Sequence, residues 1–241
     1  MIALEFIYKK INQWFMLAGC MALFALFRPQ GALGALCIVV FLLSIFFVFY
    51  HSLVLFKSLP GVVLRRDLLM GFFIVLGGAL FDIIVTVYCS PDLSEEGNPI
   101  FLTLVDLNVP LWGIYLILFF SQVFMVGFTL ILWASFLKVY PRIISTIPYK
   151  NLFTTCKWLL GCGQMSFLDF ILNRKLNYCF FISSCTFLMV LCHLNRWYFA
   201  MEWLELVPFS RTIPAITICI TLVFFLIKTH KKIKALNFLK V

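Results

Sequence analysis

Charge is what this sequence has least of. Only 12% of its 241 residues are Asp, Glu, Lys or Arg, about half the share of an ordinary soluble domain. Hydrophobic residues make up 63%, and Phe alone occurs 29 times. A water-soluble fold cannot bury that much apolar surface, so lipid is the expected solvent. Chemical signatures are missing as well. There is no GxSxG, no HExxH, no CxxC, no paired-Asp box and no cluster among the three histidines. These absences remove the usual sequence marks of serine hydrolases, zinc peptidases and thiol redox enzymes. Cysteines are present but scattered, at 20, 37, 89, 156, 162, 179, 185, 192 and 219, and most read as small polarizable packing residues. Cys156 and Cys162 together supply only two ligands, which do not make a zinc site.

What is present is a series of six apolar segments, roughly 11–27, 33–56, 68–89, 110–137, 178–200 and 212–228, close to the ~20 residues that cross a bilayer as helix. The expected fold is an all-α, polytopic transmembrane helical bundle formed by residues 1–241 as one membrane domain. One or two amphipathic helices should lie at the interface. The 138–177 connection is one place for them, since Leu152, Phe153, Cys156, Leu159 and Leu160 recur at helical spacing around Lys157. Arg28-Pro29-Gln30-Gly31 punctuates the first two segments as a tight turn. Leu17-Ala18-Gly19-Cys20 has the form of a lipoprotein cleavage box. Only Trp14, Phe15 and Met16 separate it from polar Asn12-Gln13, whereas a signal peptide needs about 7–15 apolar residues there. An uncleaved first helix is expected.

Basic residues set the orientation. With both termini cytoplasmic, 16 of the 19 Lys and Arg fall inside and only Arg28, Arg196 and Arg211 face outward. The acids distribute the opposite way, seven of the ten lying toward the outside. The net charge of +9 therefore points to anionic lipid on the cytoplasmic side. Nucleic acid is not expected as a partner, because the bases flank apolar runs and form no domain of their own. The halves of the chain show no inverted repeat, which argues against an elaborate two-fold transporter.

The third segment carries the unusual polar groups. On a straight helix Gly71, Gly78, Asp82, Thr86 and Cys89 fall within about 80° of one another. Such a stripe of small residues faces a neighbouring helix. Asp82 lies eight residues before Ser90, about 12 Å deep, where an unpaired carboxylate costs at least ~2.5 kcal/mol. It can sit in a functional site, or simply be hydrogen-bonded to Thr86 and a neighbouring helix for packing. Beyond it, Asn98 reads as a helix cap and Pro99 as a first helical residue, with Glu95 and Glu96 near the positive helix end. Residues 100–107 are too short to span and should be re-entrant or lie on the outer interface. In the fifth segment His193 and Arg196 come to the same outer level as Asp82 and Glu96, which makes Arg196 a natural counter-ion for either acid. Gln122 is the deep polar side chain of the fourth segment.

Asp82-x-x-x-Thr86, a short acidic loop, then Glu96-x-Asn98-Pro99 and an apolar helix resemble the signature of a family of small prokaryotic membrane proteins of unknown function. The likeness covers roughly residues 70–137. It implies that Asp82, Thr86, Glu96 and Asn98 form one unit, in a prokaryotic membrane protein; the bacterial cytoplasmic membrane is the expected location.

Two functional classes follow. The first is a non-enzymatic membrane component that binds or transports a small solute or ion through Asp82, Thr86, Asn98 and Gln122, or serves as subunit to a membrane partner or to copies of itself. The second is an enzyme acting on a lipid head group or peptide at the outer leaflet, with Asp82, Glu96 and His193 as acid–base groups or ligands of a divalent metal and Arg196 holding a phosphate. The absence of catalytic motifs ranks the first ahead of the second.

Overall fold

The structure is a computed structural model that describes residues 2–61, 63–91, 99–147, 151–159, 178–206 and 212–238. The regular structure among these residues is helical: α1 (Ile2–Ala25), α2 (Gly31–Ser58), α3 (Arg65–Cys89), α4 (Pro99–Asp106), α5 (Leu111–Thr146), α6 (Leu152–Leu159), α7 (Tyr178–Trp203) and α8 (Thr212–Phe238). Three of them, spanning Gly31–Ser58, Arg65–Cys89 and Leu111–Arg142, are long and apolar enough to cross a membrane. Their surfaces fit that solvent, since large apolar side chains such as Phe73, Tyr88, Trp112 and Phe119 stand exposed.

The connections follow from local chemistry. Arg28 enters the left-handed region (φ 48°) and its N–H bonds the Ala25 carbonyl at 2.9 Å, closing α1 just before Pro29. The same device ends α4. Asn108 (φ 54°) donates to Val105 O at 2.9 Å and Val109 donates to Leu104 O at 3.1 Å, a Schellman closure with Asn at the left-handed position and Pro110 just beyond. Arg28 then reaches Asp106, Nε to Oδ2 at 2.9 Å, tying the ends of α1 and α4 together. Helix α4 begins at Pro99 and buries Ile100, Phe101, Thr103 and Leu104 against Ala25, Cys37, Ile38, Ile114 and Leu118. Leu152–Leu159 is helical as the spacing in that connection predicts.

At the opposite end, Lys138 of α5 closes α2. Its Nζ donates to Phe56 O at 2.9 Å and Leu59 O at 3.1 Å, and it lies 3.9 Å from the centre of the Phe56 ring. Nearby, Tyr140 bonds Thr229 at 3.0 Å and Thr155 bonds His230 at 2.9 Å. This Lys138 end holds the largest apolar cluster, built on Ile11, Leu55, Phe128, Leu132 and Ile233. A second cluster, around Ile38, Phe101 and Leu104, fills the Arg28 end.

Helix α3 departs from the straight stripe expected of it. Phe73–Gly77 form a π turn. The one additional residue rotates everything after it by about 100° relative to a regular helix. Gly71 and Gly78 consequently face different neighbours. A Cβ on Gly71 would strike the Trp133 ring of α5, whereas one on Gly78 would come within 2.8 Å of His193 O and Trp197 Nε1 of α7. The two tryptophans also hold the α3 backbone. Trp133 Nε1 donates to Asp67 O at 2.9 Å before the turn, and Trp197 Nε1 to Ile74 O at 3.1 Å within it. The joint between α3 and α7 is therefore glycine against tryptophan, which allows the close approach that places Asp82 opposite Arg196.

Candidate functional site

Three helices bring one polar side chain each to the same place. Asp82 lies one turn beyond Gly78 on α3, Arg196 precedes Trp197 on α7, and Gln122 projects from α5. Arg196 Nη1 donates to Gln122 Oε1 at 2.6 Å. Its Nε stands 3.8 Å from Asp82 Oδ2. That is an ion pair but not a hydrogen bond, whose N–H···O distance would be about 2.7–3.2 Å. Both charged side chains remain partly accessible, at 30% for Asp82 and 25% for Arg196. Two charges in low dielectric stabilise one another well only with further hydrogen bonds, and here the neutral amide, not the carboxylate, takes the short bond.

The accessible side is a cavity of about 890 Å³, toward the upper end of the ~300–1,000 Å³ typical of small-molecule sites. Asp82, Thr86, Gln122 and Arg196 line it together with Tyr115 and Ser121. Most of the remaining wall is apolar. Val48 and Met189 belong to the Lys138-end cluster, and Ile100, Phe101 and Leu118 to the Arg28-end cluster. The void thus lies where the two clusters do not meet. On α1 its wall is Phe15, Ala18, Gly19 and Ala22. Small residues there keep it open. A Cβ at Gly19 would find nothing within 4 Å. Gly19 and Val87 are exposed as well as lining, so the cavity has a rim on the outer surface of the helices.

His193 turns elsewhere. It is only 3% exposed, and its Nε2 lies 3.3 Å from Thr129 Oγ1 on α5. Thr129 already donates its hydroxyl proton to Met125 O at 2.8 Å, so Nε2–H is the donor to Thr129 and Nδ1 is left as an acceptor. Among the described residues Nδ1 has no hydrogen-bond partner. His193 does not join Asp82 in an acid–base pair.

The structure therefore brings Asp82, Arg196 and Gln122 together, sets Thr86 on the same cavity, and diverts His193 to Thr129. Glu96 and Asn98 lie outside the described residues. Among the described residues no three His, Cys, Asp or Glu side chains converge to hold a metal. Two features went unread in the sequence. The Gln122 contact carries no signal in the sequence, where charge pairs Arg196 with acids. The α1 wall carries a signal in small residues, Ala18 and Gly19 inside the Leu17-Ala18-Gly19-Cys20 box and Ala22 just beyond it. No protein-family model matches this chain, and no curated protein or solved structure matches it either.

Proposed function

We propose that the protein is a non-enzymatic component of a bacterial cytoplasmic membrane that binds a small solute in the cavity at Asp82, Arg196 and Gln122. In this reading six helices span the bilayer, both termini are cytoplasmic, and the Lys138 end is the inner face. The distribution of bases supports that orientation. Lys228, Lys231, Lys232 and Lys234 extend α8 as an exposed basic surface suited to anionic lipid. The resemblance that groups Asp82 and Thr86 with Glu96 and Asn98 supports treating them as one unit.

The observation that carries the reading is an oppositely charged pair, drawn from two helices and steadied by a third, opening on a large and mainly apolar void. Intramembrane charges mark functional sites by default. A pair retained only for packing would be expected to close on itself with short bonds. Wild-type protein and Gly19→Trp, purified in mild detergent and analysed by mass spectrometry for small molecules released on denaturation, test the proposal. The wild type should carry a bound molecule that the Trp side chain excludes. Equal content in both would sink the cavity as a binding site.

A further inference from the structure

The shape of the cavity and the surroundings of its rim narrow what it takes. On α5 the wall runs from Tyr115 to Met125, about 15 Å along the axis at ~1.5 Å per residue. On α7 it runs from Met189 to Trp203, about 21 Å on the same count. The void is therefore drawn out along the helices, and its polarity changes along that length. Asp82, Gln122 and Arg196 stand nearer the Arg28 end, and the far end is formed by Ile45, Val48, Met125 and Met189. Ile45, Val48 and Met189 are buried, so this far end is closed as well as apolar. Arg196 faces the Asp82 carboxylate and bonds Gln122, and Asp82 has a further interaction of its own. These groups are engaged within the protein and call for no charge on a ligand.

The rim opens on lipid. Gly19 and Val87 are exposed, and so are the large apolar side chains beside them, Met16 and Leu23 on α1 and Ile84 and Tyr88 on α3. Among the described residues α1 packs on α2, α4 and α7, whereas α3 packs on α5 and α7. Gly19 and Val87 thus stand on two helices that take their main packing elsewhere. An apolar cavity holds water poorly, and its lining forfeits dispersion contacts while it stays empty. A hydrocarbon chain from the bilayer restores those contacts without leaving an apolar solvent.

We infer, on the reading that the cavity is a binding site, that its ligand is an acyl chain that enters sideways from the bilayer, past Gly19 and Val87. The chain lies along the helices with its methyl end among Ile45, Val48, Met125 and Met189. Met125 and Met189 suit that place, because unbranched thioether side chains adapt to an irregular apolar neighbour. Gly19 keeps the passage clear, since the space beyond its Cα is open. Two sources share this chemistry: one chain of a membrane phospholipid and a free fatty acid.

The test uses the full chain in lipid nanodiscs, where no detergent alkyl chain competes. Two probes carry a photoreactive diazirine at the terminal carbon of the chain: a phosphatidylethanolamine and palmitate. After irradiation, peptide mass spectrometry locates the adduct. Label is expected at Val48, Met125 or Met189, of which Val48 and Met189 are buried from the bilayer. Gly19→Trp and Val87→Trp should each lose that label. Leu80→Trp should keep it, because it places the same ring on an exposed position of α3 outside the wall. Gel filtration and unfolding temperature establish that each variant is folded. Label from the phosphatidylethanolamine assigns the membrane lipid as source; label from palmitate alone assigns the free acid. Label confined to outward-facing residues such as Phe73 and Ile84 overturns the acyl-chain assignment, and label at the far end that survives both rim tryptophans overturns the sideways route. A molecule without an acyl chain, released from the wild type and missing from Gly19→Trp, also overturns the assignment while leaving the cavity a binding site. Equal content of released molecules in both overturns instead the cavity reading beneath it.

Discussion

Lys138 and Arg196 are both bases drawn into the protein from opposite ends of the bundle, and they are accommodated differently. Lys138 is held by two carbonyls of the α2 terminus within 3.1 Å and an aromatic ring beneath it. It completes a helix end, giving Leu59 O a donor and Phe56 O a second one beside the Leu59 N–H, next to the apolar cluster of Leu55, Phe128 and Leu132. Arg196 has one short bond to an amide, one long contact to a carboxylate, and a void in front of it. Both are cations among apolar helices. The contrast shows that burial of charge alone does not distinguish structure from function. What distinguishes them is that Lys138 is committed to a helix end of the protein itself, whereas Arg196 lines a cavity.

The largest effect on stability should come from the satisfied cation. Lys138→Met removes two hydrogen bonds, leaving Leu59 O without its Lys138 donor, and should destabilise the protein by about 2 kcal/mol, seen as a lower unfolding temperature in detergent. Probe binding at the cavity should be unchanged. If Lys138→Met instead leaves stability intact, the distinction between the two cations fails. A smaller effect is expected at the cavity. Arg196→Gln alone should cost about 1–2 kcal/mol, discounted from the ~3–5 kcal/mol of a fully buried pair because the site is partly accessible, and adding Asp82→Asn should recover at least half of that. A double-mutant cycle by thermal or chemical unfolding measures this coupling; its absence would mean that the two charges do not interact. The smallest effect belongs to the exposed tie between α1 and α4. Arg28→Gln breaks a 2.9 Å ion pair whose Arg side is half accessible, and should cost no more than about 1 kcal/mol. A larger loss in the same unfolding assay would show that this pair, too, anchors a helix end.

Much of the helical order was legible because hydropathy and punctuation act locally. The segment 33–56 lies within Gly31–Ser58, and the Arg28-Pro29 turn and the Pro99 start stand where they are expected. Helix ends were less legible than spans. Lys9, Lys10 and Lys138 stop an apolar run but not a helix, so α1 begins near Ile2 and α5 continues through Pro141 to Thr146. The π turn at Phe73–Gly77 has no residue signal, and it separates Gly71 from Gly78 by rotation alone. The same limit governs the site. Depth along each helix follows from counting residues, which set Asp82 and Arg196 level. Azimuth is decided by packing, which turned His193 toward Thr129 and supplied Gln122 to Arg196.

The balance of the Asp82–Arg196 couple has an electrical consequence. Within a membrane of the proposed orientation the two charges cancel, and a solute of no net charge entering between them adds none. Loading and release then perform no work against the membrane potential, and occupancy should be the same in an energised and a de-energised cell. A variant that keeps only one of the two charges loses that indifference. Its remaining charge would feel up to about 2.3 kcal/mol per 100 mV if moved across the full field, turning a voltage-blind site into a voltage-dependent one.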